Sequence, residues 1–291
     1  TLMSSAIISL LSGLGGMFGW GISDFFAGVY SKKIGPYKTI FWSQLAGLLF
    51  VFLLISVFTV TLNIPVLIII LLPIAALFYS GGYLFFMKGF EFGNISIVAA
   101  IMNLWAVFTM LIAFIFMGQR LSTLQTIGVL MIISGATLAS LNRNDIKNKS
   151  FQLSAGVKET VLGAFFFGVF WNISEVISEQ IGWLLSTLFV KIGIILFLLL
   201  FSFLIKRGLY LTKTSTKTKI MVVMMGIIEA GAVAIVNFGL TIGDAILITP
   251  IASALSVVTI TMAIIFLKDN VTKLQGLGIF AAICGIIATG F

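Results

Sequence analysis

Residues 89–141 read GFEFGNISIVAAIMNLWAVFTMLIAFIFMGQRLSTLQTIGVLMIISGATLASL, and residues 239–291 read GLTIGDAILITPIASALSVVTITMAIIFLKDNVTKLQGLGIFAAICGIIATGF. Shifted by 150 positions without a gap, the two stretches share 13 identities in 53 positions, where so apolar a composition gives roughly five by chance. The matches include Gly93 with Gly243, Thr109 with Thr259, Phe116 with Phe266, Leu124-Gln125 with Leu274-Gln275, Gly128 with Gly278 and Gly135 with Gly285. Upstream, a shift of 147 pairs Gly16 with Gly163, Gly21 with Gly168 and Gly35 with Gly182. The chain reads as one unit written twice.

Each unit is built for lipid. The 291 residues are 60% hydrophobic and 9% charged, with a mean hydropathy of +1.22, against about 25% charged in ordinary globular domains. That excludes a soluble enzyme. Runs such as Val66 to Leu72 and Ile192 to Ser202 are apolar on every side, whereas a barrel strand alternates, so the spans are helical and the fold class is an all-α polytopic membrane protein. Ten transmembrane helices are predicted, near 4–30, 37–59, 65–87, 94–117, 122–141, 158–178, 183–205, 218–238, 245–267 and 273–291. The organisation is a first five-helix repeat over 1–141, a polar linker over 142–157 and a second five-helix repeat over 158–291. Five is odd, so the second repeat enters the membrane from the opposite side, an inverted repeat with a pseudo-two-fold axis in the membrane plane. Such halves alternate access to a site between them.

Of the 17 Lys and Arg, all but Arg120 and Lys191 fall in or beside loops after odd-numbered helices, which predicts that those loops are cytoplasmic and both termini outside. The +8 net charge is therefore an orientation signal, and no nucleic-acid partner is expected. With no histidine and one cysteine, Cys284, neither a disulfide framework nor a metal or other cofactor is expected. No nucleophile–base pair points to an enzyme. A cleavable signal peptide is not expected either, because the first apolar stretch, Ala6 to Tyr30, lacks a basic leader.

An ionisable group at the bilayer centre costs roughly 2.5–3.5 kcal/mol on insertion scales, so polar residues inside these helices are the candidate solute-binding residues. Trp20 and Asp24 in helix one, and Trp171 and Glu175 in helix six, are each four apart and share a helix face, with Asn172 beside the second pair. An aromatic wall next to an acid suits a cationic or hydroxylated solute, and the two pairs are expected on opposite walls of one cavity. A Trp packed in the bundle and an acid snorkelling to an interface is the competing reading. Gln44 and Lys191 are repeat-mates at the 147 shift, and Tyr79 and Glu229 are mates at 150. Glu229 lies near mid-membrane, where snorkelling gives no relief, and is expected to be linked in function to Lys191; Tyr83 adds a second phenol one turn from Tyr79. Asn103 and Ser253 are weaker mates, open to a packing explanation, as are Gly15, Gly19 and Pro250.

Trp20-Gly21 with Asp24-Phe25-Phe26-Ala27, Gly93-Asn94-Ile95-Ser96 at the start of helix four, and Gly118-Gln119-Arg120-Leu121 before Leu124-Gln125 and Gly128 resemble the drug/metabolite transporter superfamily, EamA type. That family usually carries Gly-Glu-Arg or Gly-Glu-Lys after the fourth helix of each half, where this chain has Gln119 and Asp269. The resemblance implies a carrier with a central cavity in a cell (inner) membrane, exporting or exchanging amino acids or related amphipathic solutes, with protons as a coupling ion. Its termini would be cytoplasmic, opposite to the charge bias. Expected partners are a small-molecule solute and the lipid bilayer, with the chain a monomer or weak homodimer. A channel, a non-transporting scaffold and a multidrug efflux carrier are the alternatives.

Overall fold

The computed structural model describes residues 5–58, 62–92, 101–140, 156–206, 208–211, 214–267 and 272–289. Every regular element among them is a helix: α1 (Ser5–Ile34), α2 (Pro36–Val57), α3 (Val66–Phe92), α4 (Leu104–Phe116), α5 (Thr123–Ser140), α6 (Val157–Ile181), α7 (Trp183–Leu204), α8 (Thr216–Leu240), α9 (Ala245–Ser253), α10 (Leu255–Leu267) and α11 (Lys273–Thr289). The helices are apolar almost all round and leave many large side chains such as Phe203, Val66 and Phe280 exposed, as lipid-facing helices do. Seven spans are long and apolar enough to cross a membrane, with α9 and α10 sharing one of them, Ala245–Met262. The shorter apolar helices α4, α5 and α11 complete the count of ten.

The helix limits reproduce the duplication. α2 and α7 begin and end 147 residues apart, whereas α3 and α8 begin 150 apart. The extra three residues lie in the α7–α8 loop, which explains why two different shifts are needed to overlay one repeat on the other. Gly35, before α2, has φ 86° and ψ 145°, and its mate Gly182, before α7, has φ 80° and ψ 158°. Both corners use backbone that L side chains rarely adopt, so glycine is required at each.

Two expectations are corrected. The ninth span is not one helix: α9 stops at Ser253 and α10 starts at Leu255, with Pro250 one turn upstream of the break. The fourth span turns at Asn103 in the same way, before α4. Of the linker predicted over 142–157, residues 142–155 lie outside the described residues, as do the Gly93–Ser96 motif and Asp269, while Val157 already begins α6.

The two repeats meet face to face along α5 and α11. A Cβ on Gly128 would lie 2.8 Å from the Gly285 carbonyl oxygen, and one on Gly278 would lie 2.6 Å from the Gly135 carbonyl oxygen. Since Gly278 is the mate of Gly128 and Gly285 that of Gly135, each glycine meets the mate of the other. That swapped pairing is the mark of a two-fold relation, and the missing side chains let the backbones touch.

Candidate functional site

Four polar side chains from four helices converge inside the bundle. The Lys191 ammonium of α7 donates to Glu229 Oε2 of α8 at 2.7 Å and to Gln44 Oε1 of α2 at 2.9 Å, while the Tyr79 hydroxyl of α3 donates to Glu229 Oε1 at 2.7 Å. All four are buried. Charge explains the arrangement: a lysine and a glutamate in low dielectric are tolerable only when paired and hydrogen-bonded, and here both carboxylate oxygens have a donor. Gln44 touches its own repeat-mate Lys191, and Tyr79 touches its own mate Glu229. Under a two-fold relation a residue meets its mate only near the axis, so this network lies on it.

Tyr83 packs its ring 5.1 Å from that of Tyr79 on the same helix, carrying the polar patch one turn along α3. Asp24 of α1 lies within electrostatic reach of both Tyr83 and Glu229, yet its side chain is exposed and no described residue donates to it. Because the buried Glu229 and the half-buried Tyr83 are close enough to act on it, Asp24 faces inward from α1. Since Lys191 already neutralises Glu229, Asp24 is the acid of this region with no compensating cation among the described residues.

One turn before Asp24, the Trp20 ring lies 5.1 Å from Trp171 and 6.2 Å from Trp105, and those two are 6.1 Å apart. The three indoles, from α1, α6 and α4, form a single buried aromatic cluster. Trp20 and Trp171 therefore touch, in place of facing each other across a space as the helix-face reasoning predicts. Trp105 was not singled out in the sequence, although it stands two residues after the Asn103 turn.

Glu175 parts company with its tryptophan. It is 1% exposed, accepts from Gln119 Nε2 at 2.8 Å and from the Ala245 N–H at 3.0 Å, and Gln119 Oε1 accepts from the Ile246 N–H at 3.0 Å. Glu175 and Gln119 together cap the N-terminus of α9, where free N–H groups and the helix dipole favour a negative charge. The second oxygen of Glu175 is buried with no partner among the described residues. Snorkelling does not describe this acid, because it stays inside the protein.

Asn172 donates to the Thr109 and Gly168 carbonyls at 3.1 and 2.8 Å, and among the described residues its own oxygen and the Asn103 amide nitrogen are buried without a partner. Such orphaned groups mark places where water or solute completes the hydrogen bonding. Ser253 is buried and donates back to the Pro250 carbonyl at 2.7 Å, a local bond at the end of α9. A second polar set joins α6, α7 and α8, with Ser174 donating to Asn237 and Asn237 to Thr187, each at 2.9 Å. Asn237 was missed, although an amide inside an apolar helix is itself a signal. At the opposite end from Glu175, Lys33, Lys38, Leu211, Thr214, Ser215 and Thr218 line a cavity of about 390 Å³, bringing basic loops of both repeats together.

Residues 7–141 and 155–291 each match the EamA-like transporter family. No curated protein matches the chain by sequence. The crystal structure of a protein 16% identical superposes with a TM-score of 0.78, over 98% of this chain and 97% of its own, a likeness of fold.

Proposed function

The chain belongs to the EamA-like transporter family, and from this premise we propose that it is a secondary transporter moving small organic metabolites by alternating access between two inverted five-helix repeats, 1–141 and 158–291. Amino acids and related amphipathic solutes are the class, and export or exchange across the cell membrane is the activity. The observation that carries the reading is Asp24: an acid with no partner among the described residues, accessible and facing inward from α1, one turn from three clustered indoles and beside an on-axis network that ties the repeats together. An uncompensated carboxylate in low dielectric takes a proton or a cation. The solute's ammonium group faces Asp24, and its apolar body lies toward the Trp20 side.

The same geometry refines the coupling. Glu229 is linked to Lys191 by direct contact, so a proton or amine reaches it only if Lys191 moves away, whereas Asp24 is open without rearrangement. We assign Asp24 the exchange between proton and solute, with Glu229 and Lys191 holding the interior charge in place. Tyr83, Asn103 and Asn172 supply hydrogen bonds around the solute. The basic loops face the cytoplasm.

The test uses purified protein in liposomes. Phenylethylamine and phenylalanine should raise the thermal midpoint by mass action, and labelled phenylethylamine should show counterflow. Asp24→Asn should lower apparent affinity at least tenfold while leaving the unfolding midpoint near that of the parent. Counterflow at the parental level in Asp24→Asn removes Asp24 from the site. Trp20→Ala and Trp171→Ala should weaken binding; transport at parental levels in both makes the indoles packing alone.

A further inference from the structure

Resting on the transporter reading, we infer that Glu175, Gln119 and the first turn of α9 form a latch that closes one end of the bundle and breaks once per transport cycle, while the Gln44–Lys191 and Tyr79–Glu229 contacts persist throughout.

The argument is one of symmetry. Inverted repeats alternate by exchanging conformations, so the state open at the other end is obtained by giving each repeat the arrangement its mate has now. A contact between a residue and its own mate maps onto itself under that exchange. Gln44 with Lys191 and Tyr79 with Glu229 are such contacts, so both states contain them, and the network is the pivot. A contact between residues that are not mates maps onto different residues. Gln119 with Ile246 is of this kind: the 150 shift carries the pair to Asp269 and Ser96, outside the described residues. Unlike the pivot contacts, it is not carried through the exchange by symmetry, so it is free to break.

Local chemistry separates the two sets in the same direction. At the pivot both oxygens of Glu229 have a donor, one of them the Lys191 ammonium. At the latch one Glu175 oxygen is buried with no partner among the described residues. Two further acids, Glu179 and Asp244, act on Glu175 by charge repulsion, and no cation is paired with it among the described residues. The latch also crosses between repeats, since Gln119 belongs to the first and Glu175, Ala245 and Ile246 to the second. An incomplete, repelled cap holding two moving bodies together is suited to release; a fully paired one is not.

The experiment has two arms, both in a Cys284→Ser background. In the first, Ser178→Cys, buried one turn from Glu175 on α6, is labelled with a membrane-impermeant maleimide in liposomes. Gln119→Ala, a change in a partly exposed loop residue, should raise the labelling rate at least tenfold, and Glu175→Ala should do the same; Lys191 and Glu229 stay untouched. An unchanged rate in Gln119→Ala overturns the latch. In the second arm, Gln119→Cys and Asp244→Cys are joined by a short cleavable thiol cross-linker, and counterflow of labelled phenylethylamine is measured. Cross-linking should cut counterflow at least tenfold, with recovery on cleavage. Counterflow at the uncross-linked rate overturns the proposal. Absence of counterflow before cross-linking counts against the transporter reading, and the labelling arm then decides the latch alone.

Discussion

At equivalent places on the axis the first repeat has Gln44 and Tyr79, both neutral, and the second has Lys191 and Glu229, both charged. Backbones that agree helix by helix thus differ in charge at the point where they meet. Either charged residue alone would leave an uncompensated ion in the bundle, whereas the two together are neutral and let the other repeat serve as hydrogen-bond partner. Equal folds do not require equal chemistry; they require that each inequality be closed locally.

The largest expected effect breaks that closure. Lys191→Met should destabilise the protein by about 3–5 kcal/mol, because it strands Glu229 in the interior. Adding Glu229→Gln should recover most of the loss, giving both repeats a neutral centre. Thermal unfolding in detergent measures the cycle, and a double variant no more stable than Lys191→Met shows that the two charges do not compensate each other.

Smaller effects probe the neutral partners. Tyr79→Phe removes a hydrogen bond to a carboxylate and should cost about 1.5–3 kcal/mol, whereas Gln44→Leu should cost about 1 kcal/mol, since Lys191 keeps its bond to Glu229. Equal losses in the two variants refute the view that Glu229 depends on Tyr79 more than Lys191 depends on Gln44. The smallest difference sharpens the likeness of the backbones: Gly35→Ala and Gly182→Ala should each cost about 1–3 kcal/mol, and by the same amount, because both corners hold the same positive-φ extended conformation. A marked difference between them shows that the corners bear unlike strain.

Most helix limits were legible from apolar run lengths, and the duplication from the two shifts. The three-residue step between those shifts became intelligible once the α7–α8 loop was seen to be the longer one. Partners across helices were less legible. Spacing puts Trp20 with Asp24 and Trp171 with Glu175 on one face each, but it does not say which helix that face meets. Trp20 meets Trp171 itself, and Glu175 meets backbone N–H groups of α9, which no side-chain pattern announces. Lys191 and Glu229 were readable as a pair because their cost leaves few alternatives, while Gln119, flagged only as a departure from the family's acidic position, caps the same helix end as Glu175.

The placement of both charges on adjacent helices bears on how the chain is made. Synthesis runs from the N-terminus, so the first repeat enters the bilayer carrying Gln44 and Tyr79, polar groups that wait for their partners without a full ionic penalty. Lys191 and Glu229 follow on α7 and α8, consecutive helices that leave the translocon as a hairpin. They can neutralise each other there, before the second repeat has docked. Had one charge lain in each repeat, a bare ion would have stood in lipid for the time needed to translate about 150 residues, on the order of ten seconds.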